Sequence, residues 1–323
     1  MAAPNGETNN LIRFHVAATG HSLNYLPEYI ANRRGFFKEQ GLEVTVSVPK
    51  PWDLVLDELA DGTADAALGG IWVPSMYYAT VKDYKAFAQL ANRCPLALIR
   101  RGSSGPFKLA DVVGKTVLMK SGNGASVGLF FKMLLRENGI DPNSVGYIQD
   151  LDGIMLSKLF QGGMGEYFLI DNVSARLMAQ NNPDVSVAME MVTHGGDIPW
   201  SVYYCELETI TPAVLDVQKR FCAALIKGTD YVLHNDAETY KDDLAALFPA
   251  TPIDLLVELT NTYKRDGMWS SPLVGRHSFD RWQKGIVDGH LTRKPFAYEI
   301  LVDDGPVQAA KSILRDSRER RSE

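Results

Sequence analysis

Along the first seventy residues, apolar positions switch between two periods. "LIRFHVAAT" (11–19) has the character of a strand. From 25 to 41, Tyr25, Leu26, Tyr29, Ile30, Phe36 and Phe37 fall at helical spacing, and Gly41 stands where a helix end needs a positive φ. "LEVTVSV" (42–48) alternates and is β-branched, as a strand should be. "WDLVLDELADG" (52–62) predicts an amphipathic helix ending at Gly62, and "ADAALGGI" (64–71) an apolar strand. The order βαβαβ implies a parallel sheet with right-handed crossovers.

The same grammar restarts near residue 107. A strand over 116–121, a glycine-rich loop and a helix from Ser126 are followed by "SVGYIQDL", strand, "DGIMLSKLFQGG", helix, and "GEYFLID", strand. "NVSARLMAQNN" then predicts a helix, "VSVAMEMV" a strand, and from Thr211 to Asp266 the pattern is mainly helical. Two extended apolar segments, "ANRCPLALIRRG" and "IPWSVYYCELE", flank this middle unit and read as crossovers between domains. The expected organisation is therefore α/β and two-lobed, with lobe one discontinuous (1–95 plus 204–323) and lobe two spanning 96–203.

Composition narrows the function classes. Of 323 residues, 46% are hydrophobic and 22% charged, and the net charge is -6 with both signs interspersed, which argues against nucleic acid as a partner. No run of about 18 apolar residues occurs, so no membrane insertion is expected. The three cysteines, Cys94, Cys205 and Cys222, lack CxxC spacing, which makes a disulfide framework or a metal site unexpected. The polar start "MAAPNGETNN" has neither a basic nor an apolar leader region, and the expectation is a cytoplasmic protein, or a periplasmic or extracellular one from which a signal peptide is gone.

"YLPEYIANRRGFFKEQGLEVTV", "LADGTADAALGG" and "KLADVVGKTV", in that order and spacing, closely resemble the nitrate/sulfonate/taurine-type solute-binding proteins and their relative, the fungal thiamine-pyrimidine synthase. The resemblance covers most of the chain. It implies a periplasmic-binding-protein-like (type II) fold with a ligand cleft between the lobes. The synthase's own chemistry does not carry over. After the third strand this chain has Gly69, Gly70, Ile71, Trp72 and Val73 rather than a lysine and a histidine, and 190–204 lacks the cysteine-rich cluster. The nucleophilic cysteine of sulfinate desulfinases is likewise replaced by His21 and Ser22.

In such sheets ligands sit beyond the carboxyl ends of the parallel strands. The loops there are "TGHSLNY", "GGIWVPS", "SGNGAS" and "IDNVS". Ser121, Gly122, Asn123, Gly124 and Ser126 form an anion-binding candidate, with backbone N–H groups and a hydroxyl at a helix start. Trp72, with Tyr77 on the same wall, is a candidate for stacking on a planar ligand, and Trp200 and Tyr203 on the return crossover are treated alike. Asn24, Tyr25, Asp171 and Asn172 are polar candidates. His21, and His194 beside Asp197, are the candidates for proton transfer. Two functions follow. One is capture of a small anionic or aromatic organic molecule, with an ABC permease as partner if the chain is exported. The other is an enzyme on the same scaffold, a lyase or decarboxylase of an aromatic acid, without cofactor or metal. Self-association into a homodimer is left open.

Overall fold

The computed structural model describes residues 11–102, 105–119, 126–149, 151 and 153–322. Strand β1 (Ile12–Ala18) leads through a short 3-10 turn into α1 (Leu26–Arg33), α2 (Phe36–Glu39) and β2 (Leu42–Ser47). The single helix expected over 25–41 is broken because Gly35 takes φ 75°, a left-handed conformation that ends α1 and re-aims the chain into α2. Next come α3 (Leu54–Ala60), β3 (Ala66–Gly69), α4 (Trp72–Tyr77) and β4 (Tyr84–Ala91). The chain then crosses to β5 (Leu96–Arg101), β6 (Thr116–Met119), α5 (Ser126–Glu137), β7 (Gly146–Ile148), α6 (Gly153–Gln161), β8 (Tyr167–Asp171), α7 (Asn172–Asn181), β9 (Val185–Glu190) and α8 (Met191–His194). It returns as β10 (Ser201–Glu206) and ends in helices α9 (Pro212–His234), α10 (Lys241–Leu247), α11 (Ile253–Arg265), α12 (Arg276–Asp288), α13 (Tyr298–Leu301) and α14 (Gly305–Ser322). The backbone is thus helical through the basic segment that ends the described residues.

Two five-stranded sheets result, one per lobe, in the orders β2-β1-β3-β10-β4 and β7-β6-β8-β5-β9. In each, three parallel strands are followed by one antiparallel strand, and that strand is the one that has just crossed from the other lobe. The sheets are therefore mixed rather than purely parallel. The two expected crossovers do more than connect, since "LALIRR" and "SVYYCE" are both interior strands. The crossing segments also run beside each other, with Ile198 N–H donating to Asn92 O and Trp200 N–H to Ala91 O, each at 3.0 Å. No helix among the described residues is long and apolar enough to cross a membrane.

The C-terminal helices brace both lobes. α9 packs on α1 so closely that a Cβ at Gly228 would stand 2.3 Å from the Pro27 carbonyl oxygen. α12 lies between lobes: Gln283 Nε2 donates to Ser75 Oγ on α4 at 2.8 Å, while Arg281 forks onto Glu137 at the end of α5 at 2.9 and 2.7 Å.

Candidate functional site

The carboxyl ends of β1 and β3 carry a buried group of hydroxyls and amides. Thr19, one residue past β1, lies 3.3 Å through Oγ1 from the Tyr25 hydroxyl. Asn24 donates to Ser201 Oγ at 3.4 Å and accepts from Ser22 Oγ at 2.5 Å. Its backbone carbonyl accepts the indole N–H of Trp269 at 2.9 Å. Burial holds the Tyr25 phenol above its ordinary pKa, so it stays a neutral donor. Gly69 at the end of β3 leaves room for this cluster, since a Cβ there would meet Thr19 Cγ2 at 3.0 Å and the Tyr204 hydroxyl at 3.5 Å. That Tyr204 hydroxyl is buried and has no hydrogen-bond partner among the described residues.

Lobe two contributes the starts of α5 and α7. Ser126 opens α5 and is buried. Asp171 is the N-cap of α7, its Oδ1 accepting from Ser174 N–H at 2.9 Å. Asn172, at 0% exposure, donates its backbone N–H to Pro95 O at 3.1 Å, while among the described residues neither side-chain Oδ1 nor Nδ2 has a hydrogen-bond partner of good geometry, the Tyr263 phenol being the polar group beside them. Pro95 O also accepts the Tyr263 hydroxyl, at 3.4 Å. Tyr263 packs edge-on to Trp269 at 5.8 Å. One aromatic pair from the C-terminal segment thus links the Asn24 group of lobe one to the Pro95 carbonyl on which Asn172 is anchored.

Several candidates from the sequence are occupied otherwise. The Trp72 ring is 6% exposed, lies edge-on to Trp52 at 5.6 Å and covers Gly70, where a Cβ would be 2.4 Å from its Cδ1. Trp200 is half-buried and meets Phe130 of α5 edge-on at 5.8 Å. Tyr203 belongs to the core between sheet one and α9, its hydroxyl donating to Glu28 Oε2 at 2.5 Å. Tyr77 is half-buried against Tyr84. His21 donates from Nε2 to Leu247 O at 2.9 Å and is packed between Tyr29 and Phe248. His194 is exposed, and its neighbour Asp197 is held by Arg93 at 2.7 Å. The described residues give neither histidine a carboxylate partner. Ser121, Gly122, Asn123 and Gly124 lie outside the described residues. Cys205 is in the core with its thiol pushed up to about 11 by burial.

Sequence reasoning missed Thr19, Ser201 and Tyr204. Ser201 and Tyr204 come to the site only through the insertion of β10 between β3 and β4, and no local signal announces that pairing. Among the described residues no group of three or more His, Cys, Asp or Glu is placed to hold a metal ion.

Two mixed sheets of one plan, joined by paired crossovers and braced by a helical C-terminal segment, make this a two-lobed protein of the periplasmic-binding-protein fold. The chain belongs to the NMT1/THI5-like family, whose model matches residues 22–239. It is similar to YtlA of Bacillus subtilis (strain 168), a binding protein by name, with 26% identity over 305 residues, 92% of this chain and 89% of that one. Among solved structures it is similar to the periplasmic sulfonate-binding protein SsuA of a sulfonate ABC transporter from Methylobacillus flagellatus KT, at 14% identity and TM-score 0.73 over 95% of this chain and 96% of that one. It is also similar to the periplasmic nitrate-binding protein NrtA from Synechocystis PCC 6803, at 14% identity and TM-score 0.68 over 94% and 89%. These two likenesses concern the fold.

Proposed function

We propose that this protein captures a small anionic or aromatic organic molecule between its lobes and delivers it to the permease of an ABC import system. The observation that carries this reading is the pairing of a pre-built polar group at the end of β1 with buried polar atoms that have no hydrogen-bond partner among the described residues. Thr19, Tyr25, Asn24 and Ser201 are already bonded to one another or to their neighbours, whereas the Asn172 amide and the Tyr204 hydroxyl are not. A buried polar group left unpaired costs about 1–3 kcal/mol, and a ligand that supplies the missing bonds recovers it. Membership of the family and the names of the similar proteins support capture over catalysis. The cytoplasmic expectation gives way to the extracytoplasmic one on the same ground, because both structural relatives described above are periplasmic.

The test is a thermal-shift screen of sulfonates, nitrate, aromatic acids and pyrimidine derivatives, with the mass of each hit followed over hours. Ligand at a hundredfold excess over its dissociation constant adds about 2.7 kcal/mol of stability. The expected hit stays chemically intact, and Asn172→Ala and Thr19→Val each weaken it by about tenfold or more. A hit that loses carbon dioxide, or one indifferent to both substitutions, overturns the reading.

A further inference from the structure

α12 packs antiparallel on α5, with Arg281 beside Glu137, Gly285 beside Met133 and Gly289 beside Leu129. Gly285 and Gly289 permit this approach, since a Cβ at the first would stand 2.6 Å from Met133 Sδ and at the second 2.1 Å from Leu129 Cδ1. Both helices close with the same turn. Ile140 N–H donates to Leu135 O at 2.9 Å after α5, and Leu291 N–H donates to Ile286 O at 3.1 Å after α12. The left-handed residue of this turn is Gly139 (φ 72°) in the first case and His290 (φ 62°) in the second. A histidine held there costs about 1 kcal/mol relative to glycine, and such strain concentrates at functional sites.

Beside this seam lies an open cavity of about 760 Å³, lined by Arg136 from the last turn of α5 and by Lys284, Asp288, His290, Thr292 and Arg293 at and beyond the end of α12. Three permanent cations face one carboxylate. Asp288 is engaged by Lys284 at 2.5 Å. Arg136 Nη1 is buried and has no hydrogen-bond partner among the described residues. The closing turns already bond carbonyls of both last helical turns, so these side chains are not needed to cap them.

We infer that this cavity is a second binding site, separate from the cleft, for an organic polyanion bearing two or more carboxylate or phosphate-like groups. Guanidinium forks match both groups bidentately, and an anion reaching Arg136 would satisfy its orphaned N–H. The volume falls within the roughly 300–1,000 Å³ of small-molecule pockets, far more than one inorganic ion fills.

The experiment is calorimetric titration of the full chain with propane-1,2,3-tricarboxylate and with methylenediphosphonate at about 0.15 M salt. One saturable site is expected for at least one probe, and the tighter probe tells which anionic group the cavity takes. Arg293→Glu, at an exposed position, and Arg136→Gln should each weaken it by about tenfold or more, the loss of one charge-assisted bond. Lys241→Glu, which makes the same change of net charge as Arg293→Glu at a distant exposed site, should leave the affinity unchanged. The inference is overturned if neither probe saturates, if Arg293→Glu binds like the wild type, or if Lys241→Glu weakens binding equally.

Discussion

The two lobes share one strand plan, yet their cleft ends are filled in opposite ways. In lobe one the polar atoms at the end of β1 are joined into a network, and behind them a buried carboxyl, Glu28, is bonded to Tyr203 inside the core. In lobe two the core behind the sheet is apolar, built from Leu118, Leu156, Phe160, Phe168 and Ile170, and the buried amide at the start of α7 has no hydrogen-bond partner of good geometry among the described residues. The same arrangement of strand directions therefore carries a bonded polar group with one orphan hydroxyl, Tyr204, in lobe one and an amide without a partner among the described residues in lobe two.

The sharpest way to break the contrast is through Glu28. Burial raises its carboxyl from 4.5 to about 7, only partly offset by the Tyr203 hydrogen bond. The folded state thus holds a proton that the unfolded chain has released across that window. Stability should fall as pH rises from about 4.5 past about 7, by about 3 kcal/mol for a shift of that size. Glu28→Gln should remove this slope in chemical denaturation measured across the same range, and Tyr203→Phe should move the slope to higher pH.

A substitution at each asparagine tests the contrast directly. Asn24→Leu strands the Ser22 and Ser201 hydroxyls and should destabilise the unliganded protein by about 2 kcal/mol. Asn172→Leu removes an amide without a well-formed hydrogen bond among the described residues and should be neutral or stabilising by up to about 1 kcal/mol, while weakening ligand capture about tenfold or more. Equal destabilisation by both would erase the distinction between the lobes. The smallest effect is expected at the brace: Arg281→Ala releases Glu137 across the α12–α5 seam and should cost about 1 kcal/mol in thermal unfolding, less at high salt.

Much of the scaffold was legible because each βα step is local. Alternation in "LEVTVSV" and the glycine that ends each preceding helix are written within a few residues. The break at Gly35 was not, since an apolar pattern continues across it and only the backbone angle reveals the turn. Strand β4 escaped notice, and β5 and β10 passed for connectors. Extended apolar runs look alike whether they cross between lobes or pair inside a sheet, and the pairing of Val202 with Gly69 spans most of the chain between the lobes. The same limit governs the site. The loops after the parallel strands could be named from the strand-end rule, but which side chains in them are free could not. Trp72 is turned onto Gly70 and Trp52, and His21 onto Leu247 and Phe248, by packing that depends on distant segments.

The placement of β10 also bears on how the chain is made. Sheet two is continuous in sequence from Leu96 to Glu190, whereas sheet one waits for Ser201–Glu206 to enter between β3 and β4. During synthesis the second lobe can complete its sheet first, while β3 and β4 of the first present open edges on either side of a missing strand. Exposed edges of that kind recruit other strands. Lobe one is thus the later of the two to complete its sheet, and the gap between β3 and β4 stays open until β10 enters it.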